Sequence, residues 1–325
     1  MNSMPPNCGN TSWREVGHRF YSLNQFLIGK FGHRVWKVSV DGRFNCPNVD
    51  GTIARGGCVF CDIRSFSPSR RLSIRSISDQ IAEGVARLRQ RHRVEHFIAY
   101  FQPATNTYAP ADELRNLWEE AAAYPGVVGL AIGTRPDCVS DEILDLLESF
   151  TARTWVCVEY GLQSIHDRSL DWMNRGHHYQ AFLDAVRRTR LRAIDIGAHV
   201  ILGIPGETRD EMLATAREIA RLRLHSVKIH NLYAVKNTVL ADQVMSGTVA
   251  LPDRDQYVAY VADFLEALPP DCVIDRLCGD APQEYLVAPQ WCLDKQAVRA
   301  AIEKELQRRD SWQGKSFPNG TITVG

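Results

Sequence analysis

Three thiols of this chain stand on one short glycine-rich segment, Cys46-Pro-Asn-Val-Asp-Gly-Thr-Ile-Ala-Arg-Gly-Gly-Cys58-Val-Phe-Cys61. Soft sulfur ligands select iron–sulfur clusters, zinc or Cu(I). Gly51, Gly56 and Gly57 let the backbone curl, so that sulfurs separated by eleven residues and then by two converge on one inorganic core. The count of three is informative. A [4Fe–4S] cubane held by three cysteines leaves one iron open to a reactive small molecule, which is an arrangement for catalysis. The competing readings are a zinc site completed by a nearby His or Asp, or a redox thiol pair. Structural zinc sites join two short spacings, whereas here one CxxC stands with one distant Cys and no second pair follows.

Such a loop needs a scaffold, and the rest of the chain supplies an alternation of strands and helices. Strand-like segments begin at Val35, His96, Val127, Trp155, Ile196 and Ser226, each rich in Val, Ile and aromatics. Ser78 and Thr208 are expected N-caps of two of the intervening helices. Six such strands with helices between them imply a parallel sheet with helices outside, curling with one crossover hand into a partial (β/α)6, TIM-like barrel of the α/β class. Barrel chemistry sits at the carboxyl ends of the strands, and the cysteine segment follows the first strand. The expected division is an N-terminal extension over 1–34, a core barrel over 35–235 and a small C-terminal α/β cap over 236–325. That cap is expected to hold a helix from about Arg254, a strand near Cys272 to Leu277 and a last helix from about Leu293.

Composition bounds the function classes. At 325 residues a barrel-sized core can be buried, and 38 Lys and Arg against 38 Asp and Glu leave no global field toward nucleic acid or anionic lipid. Any RNA contact must be local. Met1 to Trp13 lacks a basic region followed by an apolar stretch, and no apolar run approaches a membrane span. Nine cysteines, three with a better use than disulfides, fit a reducing compartment. The expectation is a cytoplasmic protein without membrane contact.

With the three cysteines on this scaffold, the chain resembles the radical S-adenosylmethionine (SAM) enzymes. Its long first spacing departs from most of that superfamily and is similar to the branch of the Elongator catalytic subunit, most of all to its short bacterial relatives of the YhcC type. The runs that carry the resemblance include Arg55-Gly-Gly-Cys58, Glu159-Tyr-Gly-Leu-Gln163-Ser164, Asn174-Arg-Gly-His177, His199-Val-Ile-Leu-Gly203-Ile-Pro-Gly206, Lys228-Ile-His230 and Ala288-Pro-Gln-Trp291. The resemblance implies a [4Fe–4S] cluster on Cys46, Cys58 and Cys61, with SAM chelated at its open iron. Reductive cleavage of SAM then yields methionine and a 5′-deoxyadenosyl radical, the cofactor carrying the hard chemistry and the protein excluding water. It also implies an electron donor such as flavodoxin or ferredoxin.

Candidate cofactor contacts follow from the strand ends. Glu159 and Gln163 are placed to bond the ribose, and Gly203, Pro205 and Gly206 to lie against adenine. Gln102 and Asn106 stand where many superfamily members carry a Gly-Gly-Glu run for the methionine amino group. A buried, paired carboxylate at Glu159 and a tight turn at Gly203–Gly206 are the structural alternatives. His230 and Lys236 are expected to end the sixth strand facing the cavity as catalytic groups, a satisfied core histidine and a solvated lysine being the structural alternatives. Asn174, Arg175 and His177 are expected to close the substrate side, with surface helix capping as the alternative. Cys272, Cys278 and Cys292 lack a CxxC, so buried free thiols are expected of them rather than a second cluster.

Elongator-like domains act on the wobble uridine of tRNA, which makes a uridine C5 side chain the expected target. Arginines cluster at Arg70, Arg71 and Arg75, at Arg87, Arg89, Arg91 and Arg93, and at Arg187, Arg188, Arg190 and Arg192. They suit either phosphate contact or solvated helix faces. The alternatives are small-molecule chemistry of the coproporphyrinogen-oxidase kind, which shares the Gly-Leu-Gln-Ser run, and a non-catalytic iron–sulfur redox sensor.

Overall fold

The computed structural model describes residues 13–67, 70, 73 and 75–318. Helix α1 (Leu23–Phe31) begins at Ser22, whose N–H donates to the Gln25 side chain at 2.8 Å. Strand β1 (Val35–Val40) leads into the cysteine segment with its two single-turn helices, α2 (Pro47–Asp50) and α3 (Ile63–Phe66). The alternation then runs through α4 (Ile77–His92), β2 (His96–Phe101), α5 (Ala111–Ala122), β3 (Val127–Thr134), α6 (Asp141–Thr151) and β4 (Trp155–Gln163). It continues with α7 (Asp167–Trp172), α8 (Tyr179–Thr189), β5 (Asp195–Leu202), α9 (Arg209–Arg221) and β6 (Ser226–Asn231). Beyond these lie β7 (Ala234–Val235), α10 (Val239–Met245), α11 (Arg254–Ala267), β8 (Val273–Arg276), β9 (Leu286–Ala288) and α12 (Lys295–Arg308).

The six expected strands pair in parallel in chain order. Their apolar residues are buried on both faces, as a sheet lined outside by helices requires; in β2 every residue after His96 is buried. Thr208 caps α9 in a reciprocal box with Glu211. For α4 the cap is Ser76 and not Ser78: the Ser76 hydroxyl accepts from Asp79 N–H at 3.0 Å, while Ser78 N–H donates to Glu120.

A seventh strand joins the sheet. The segment expected in the cap near Cys272 to Leu277 forms β8, which pairs in parallel with β6 through Ser226–Val273 and Val227–Ile274. The outer edge of β6 would otherwise leave a row of backbone donors and acceptors unpaired. The result is an α/β half-barrel open between β1 and β8, and the approach to α1 plugs part of that opening through Ile274 N–H donating to Tyr21 O at 2.8 Å. A small cap remains, in which β7 pairs antiparallel with β9 and α10 lies on the cysteine segment through Leu240 N–H to Val59 O at 2.9 Å. Among the described residues no helix is long and apolar enough to cross a membrane.

Candidate active site

The cysteine segment leaves β1 and curls as its glycines permit. Gly51, Gly56 and Gly57 all take positive φ, and Gly57 N–H donates back to Asn48 O at 2.9 Å. Cys46, Cys58 and Cys61 thereby line one wall of a cavity of about 500 Å³ at the carboxyl ends of the strands. Burial pushes the Cys61 thiol up, and the neighbouring Cys58 and Cys46 sulfurs push it further. No three His, Cys, Asp or Glu side chains among the described residues are arranged to hold a single metal ion. Each thiolate of a cubane takes a different iron, so three thiols lining one cavity are a donor set that fits a polynuclear cluster.

The run Asn174 to His177 was expected to close the substrate side, and the structure uses it to brace the cysteines. Val59 N–H donates to Met173 O at 3.1 Å, and the Asn174 amide donates to Gly57 O at 2.8 Å and to Arg55 O at 3.2 Å. Arg175 is buried and reaches Cys58 Sγ with Nη1 at 3.2 Å while Nη2 donates to Gly161 O at 3.0 Å. Gly176 sits at φ 69°, and a Cβ there would fall 2.5 Å from Asn48 Oδ1, so only glycine allows this approach.

The inner face of the half-barrel is unusually polar. Glu159 on β4 is 1% exposed, and its oxygens accept from Lys37 Nζ at 2.5 Å, His199 Nε2 at 2.7 Å and Lys228 Nζ at 3.2 Å. Lys37 also donates to Asp275 at 3.0 Å, and Lys228 to the Tyr100 hydroxyl at 2.6 Å. Burial alone would raise Glu159, but the charges of Lys228 and Lys37 and the His199 bond outweigh it and hold the carboxyl well below its usual range. Burial lowers Lys228 to about 8 against the pull of Glu159, and lowers His199 to about 4. His199 is therefore neutral at pH 7, with its Nε2 proton on the bond to the carboxylate. His230, two residues beyond Lys228 on β6, lines the cavity with its ring 5.4 Å from that of His199; burial and then Arg276 hold it well below its usual value. Its Nε2 is buried and has no partner among the described residues.

The remaining expected contacts divide. Gln102 and Gln163 line the cavity. Asn106 does not, because its amide is spent on Phe101 O at 3.1 Å and Gly133 O at 2.7 Å, holding the loop after β2. Gly203, Pro205 and Gly206 lie off the cavity wall; at Gly203, φ 82°, a Cβ would meet Pro252 at 2.5 Å, so the close approach there is to protein. Lys236 is not on β6, which ends at Asn231; it follows β7 and is exposed, away from the cavity. The lysine in the cavity is Lys228. Its signal was in the sequence, since Ser226, Lys228 and His230 alternate with the apolar Val227 and Ile229 and so share one polar face of β6. Arg135 was also missed: Nε and Nη2 bind Asp137 at 2.9 and 2.8 Å, while the buried Nη1 on the cavity wall has no hydrogen-bond partner among the described residues. Cys272, Cys278 and Cys292 are buried free thiols; burial raises all three, Cys278 to about 12 and Cys292 to about 11.

Among the described residues, no arginine of the three clusters lines the cavity. Arg71 lies outside the described residues. Arg70 is spent on Asp41 at 2.7 Å and Phe44 O at 2.6 Å, and Arg75 on Glu83. At the end of α4, Arg89 pairs with Glu95 at 2.6 Å and lies over Phe97, and His92 stacks on Trp36 at 3.8 Å. Trp36 and Phe97 are the second residues of β1 and β2, so the α4 cluster stands at the end of the barrel opposite the cavity. On and after α8, Arg187 and Arg188 pair with Asp184, and Arg192 with Asp141 and Asp145.

Known proteins place this architecture. The chain is 39% identical over 299 residues to the uncharacterized protein YtqA of Bacillus subtilis, an alignment spanning 92% of this chain and 93% of the relative. It is 33% identical to the protein YhcC of Escherichia coli over 86% of this chain and 90% of that protein. A tRNA uridine(34) acetyltransferase of Dehalococcoides mccartyi is 27% identical over 56% of this chain, which spans 39% of that longer protein. Among solved structures, an archaeal Elp3 of Methanocaldococcus infernus shares the fold with a TM-score of 0.64 at 15% identity, covering 86% of this chain and 64% of that one. The description of the radical SAM C-terminal domain matches residues 224–308. That of the radical SAM superfamily matches residues 50–219, taking in Cys58 and Cys61 and starting just after Cys46, where the long first spacing departs from the common pattern. With more than half its length inside that match, the chain belongs to the radical SAM superfamily, enzymes that work with a [4Fe–4S] cluster and SAM.

Proposed function

We propose that Cys46, Cys58 and Cys61 hold the cluster and that the enzyme remodels the C5 side chain of a wobble uridine in tRNA. The observation that supports this most is the meeting of three thiols with a polar barrel floor across one cavity of about 500 Å³. That volume lies in the range of small-ligand sites. When bound, the cluster supplies one electron that splits a carbon–sulfur bond of SAM, giving methionine and a 5′-deoxyadenosyl radical. The chain's own residues bind and shield. Gln102, Gln163 and the open Nη1 of Arg135 offer donors to the carboxylate and ribose of SAM, and the unpartnered Nε2 of His230 offers a hydrogen bond to substrate. Residues of the cap and the Asn174–His177 turn cover the cysteines and keep water out. The tRNA part of the reading rests on the Elongator-like resemblance and on the relative named for acting on tRNA uridine(34). A flavodoxin or ferredoxin is the proposed electron donor.

The test has two levels. Reconstituted protein should hold four irons and, once reduced, convert SAM to 5′-deoxyadenosine; a triple Cys46→Ala, Cys58→Ala, Cys61→Ala protein should hold none and form product only at background. Retention of four irons in the triple variant would show the ligand assignment wrong. Mass spectrometry of tRNA nucleosides from cells lacking the gene should show an altered wobble uridine. Unchanged nucleosides would remove the tRNA substrate and leave the superfamily membership standing.

A further inference from the structure

Among the described residues, Cys58 alone of the three thiols receives side-chain N–H donors: Arg175 Nη1 at 3.2 Å and Asn48 Nδ2 at 3.6 Å. Neither donor is there by accident of a loose surface. Arg175 is 7% exposed, and its other amino group is tied to Gly161 O on β4. Asn48 is fully buried, and its amide also donates to Asn174 O. Gly176 leaves the space that Asn48 Oδ1 occupies, which a side chain would fill. Two elements far apart in sequence thus deliver a permanent positive charge and a neutral amide to one sulfur.

A guanidinium keeps its proton at any working pH, and in a buried setting its field is weakly screened. Potentials of iron–sulfur clusters respond to net charge, burial and hydrogen bonds to the ligating sulfurs. Adding one electron from a low-potential carrier breaks no bond and moves no proton, so its equilibrium depends on how well the surroundings accept the extra negative charge. We infer that Arg175, assisted by Asn48, sets the reduction potential of the cluster by stabilising its electron-rich state at Cys58. Arg175 is a positioning residue that acts through the sulfur and not on substrate. The inference rests on the proposal that Cys58 is a cluster ligand.

The experiment is a potentiometric EPR titration, without SAM, of the reconstituted full chain and of Arg175→Met, Arg175→Lys and Asn48→Ala. Arg175→Met should load four irons and show a lower midpoint, with at least a tenfold smaller ratio of reduced to oxidised cluster at the parent's midpoint. For a one-electron couple that is about 59 mV. Arg175→Lys, which keeps the charge, should recover most of the loss, and Asn48→Ala should show a smaller fall in the same direction. A parent-like midpoint in a fully loaded Arg175→Met protein overturns the inference while leaving the three-cysteine assignment intact. If that variant loads no iron, Asn48→Ala decides, and a parent-like midpoint there overturns it equally. Four irons persisting in the triple cysteine variant would instead remove the ligand assignment beneath it.

Discussion

On the inner face of the half-barrel, Lys37, Lys228 and His199 all bond to the buried Glu159, whereas at the end opposite the cavity the arginines of α4 lie on the surface beside acids. Buried charges are expensive to hold, and a protein keeps them only where each is matched. Exposed pairs such as Arg87–Glu83 are worth about 0–1 kcal/mol and constrain little. The inner network therefore marks where the fold invests in electrostatics, and it faces the same cavity as the cysteines. The arginine-rich helix end does not.

The strongest way to break this contrast is Glu159→Gln, which keeps the shape and removes the charge that both lysines face. Loss of one partner of a buried ion pair costs about 3–5 kcal/mol, so the urea midpoint should fall by a corresponding amount. A change within experimental error would mean that the network is not held by its charges. Acid should probe the same network. His199 and His177 are both held at about 4 against an ordinary value of 6.5, so between those values the unfolded chain binds more protons. Stability from these groups is complete above about pH 6.5 and is lost as the pH falls toward 4, by up to about 1.4 kcal/mol per group and pH unit. Urea midpoints at pH 7.5 and 5 should record the fall, and His199→Gln, which retains a donor for Glu159, should reduce it.

Gly176→Ala tests the brace on the cysteine segment. Left-handed backbone costs an alanine about 1–2 kcal/mol, and its Cβ must also displace Asn48. A lower thermal midpoint with poorer iron loading is expected; an unchanged iron content would detach the brace from the cluster site. The smallest effect belongs to the far end. Replacing Arg87, Arg89 and Arg91 together by glutamine should alter stability by no more than about 0.5 kcal/mol per substitution and leave the salt dependence of tRNA retention unchanged. A flattened log–log salt slope in that variant would put RNA at the end of the barrel opposite the cavity and undo the comparison.

Much of the fold was legible because its signals are local. The six strand starts, the helical crossovers between them and the Thr208 cap all follow from patterns within a dozen residues. The misplacements arose where a local pattern has two tertiary outcomes. A short strand such as Val273–Arg276 reads alike whether it serves a cap or completes a sheet, and only the unpaired edge of β6 decided. Lys236 and Lys228 are eight positions apart in the same region, and the end of β6 at Asn231 separated the exposed one from the buried one. At Gly203 the small residues signalled a close approach, and the structure shows Pro252 of the chain making one there.

By itself the sequence determined the cysteine segment, its glycine hinges and the parallel α/β order, because ligand spacing, backbone freedom and hydrophobic period are properties of contiguous residues. The tertiary structure alone decided which polar side chains share the barrel floor. Lys37 meets Asp275 across 238 positions of chain and Glu159 across 122, and Arg175 meets Cys58 across 117. Those meetings depend on the register of seven strands and on the hand of every crossover. A charge can be buried only where that register brings its partners to it.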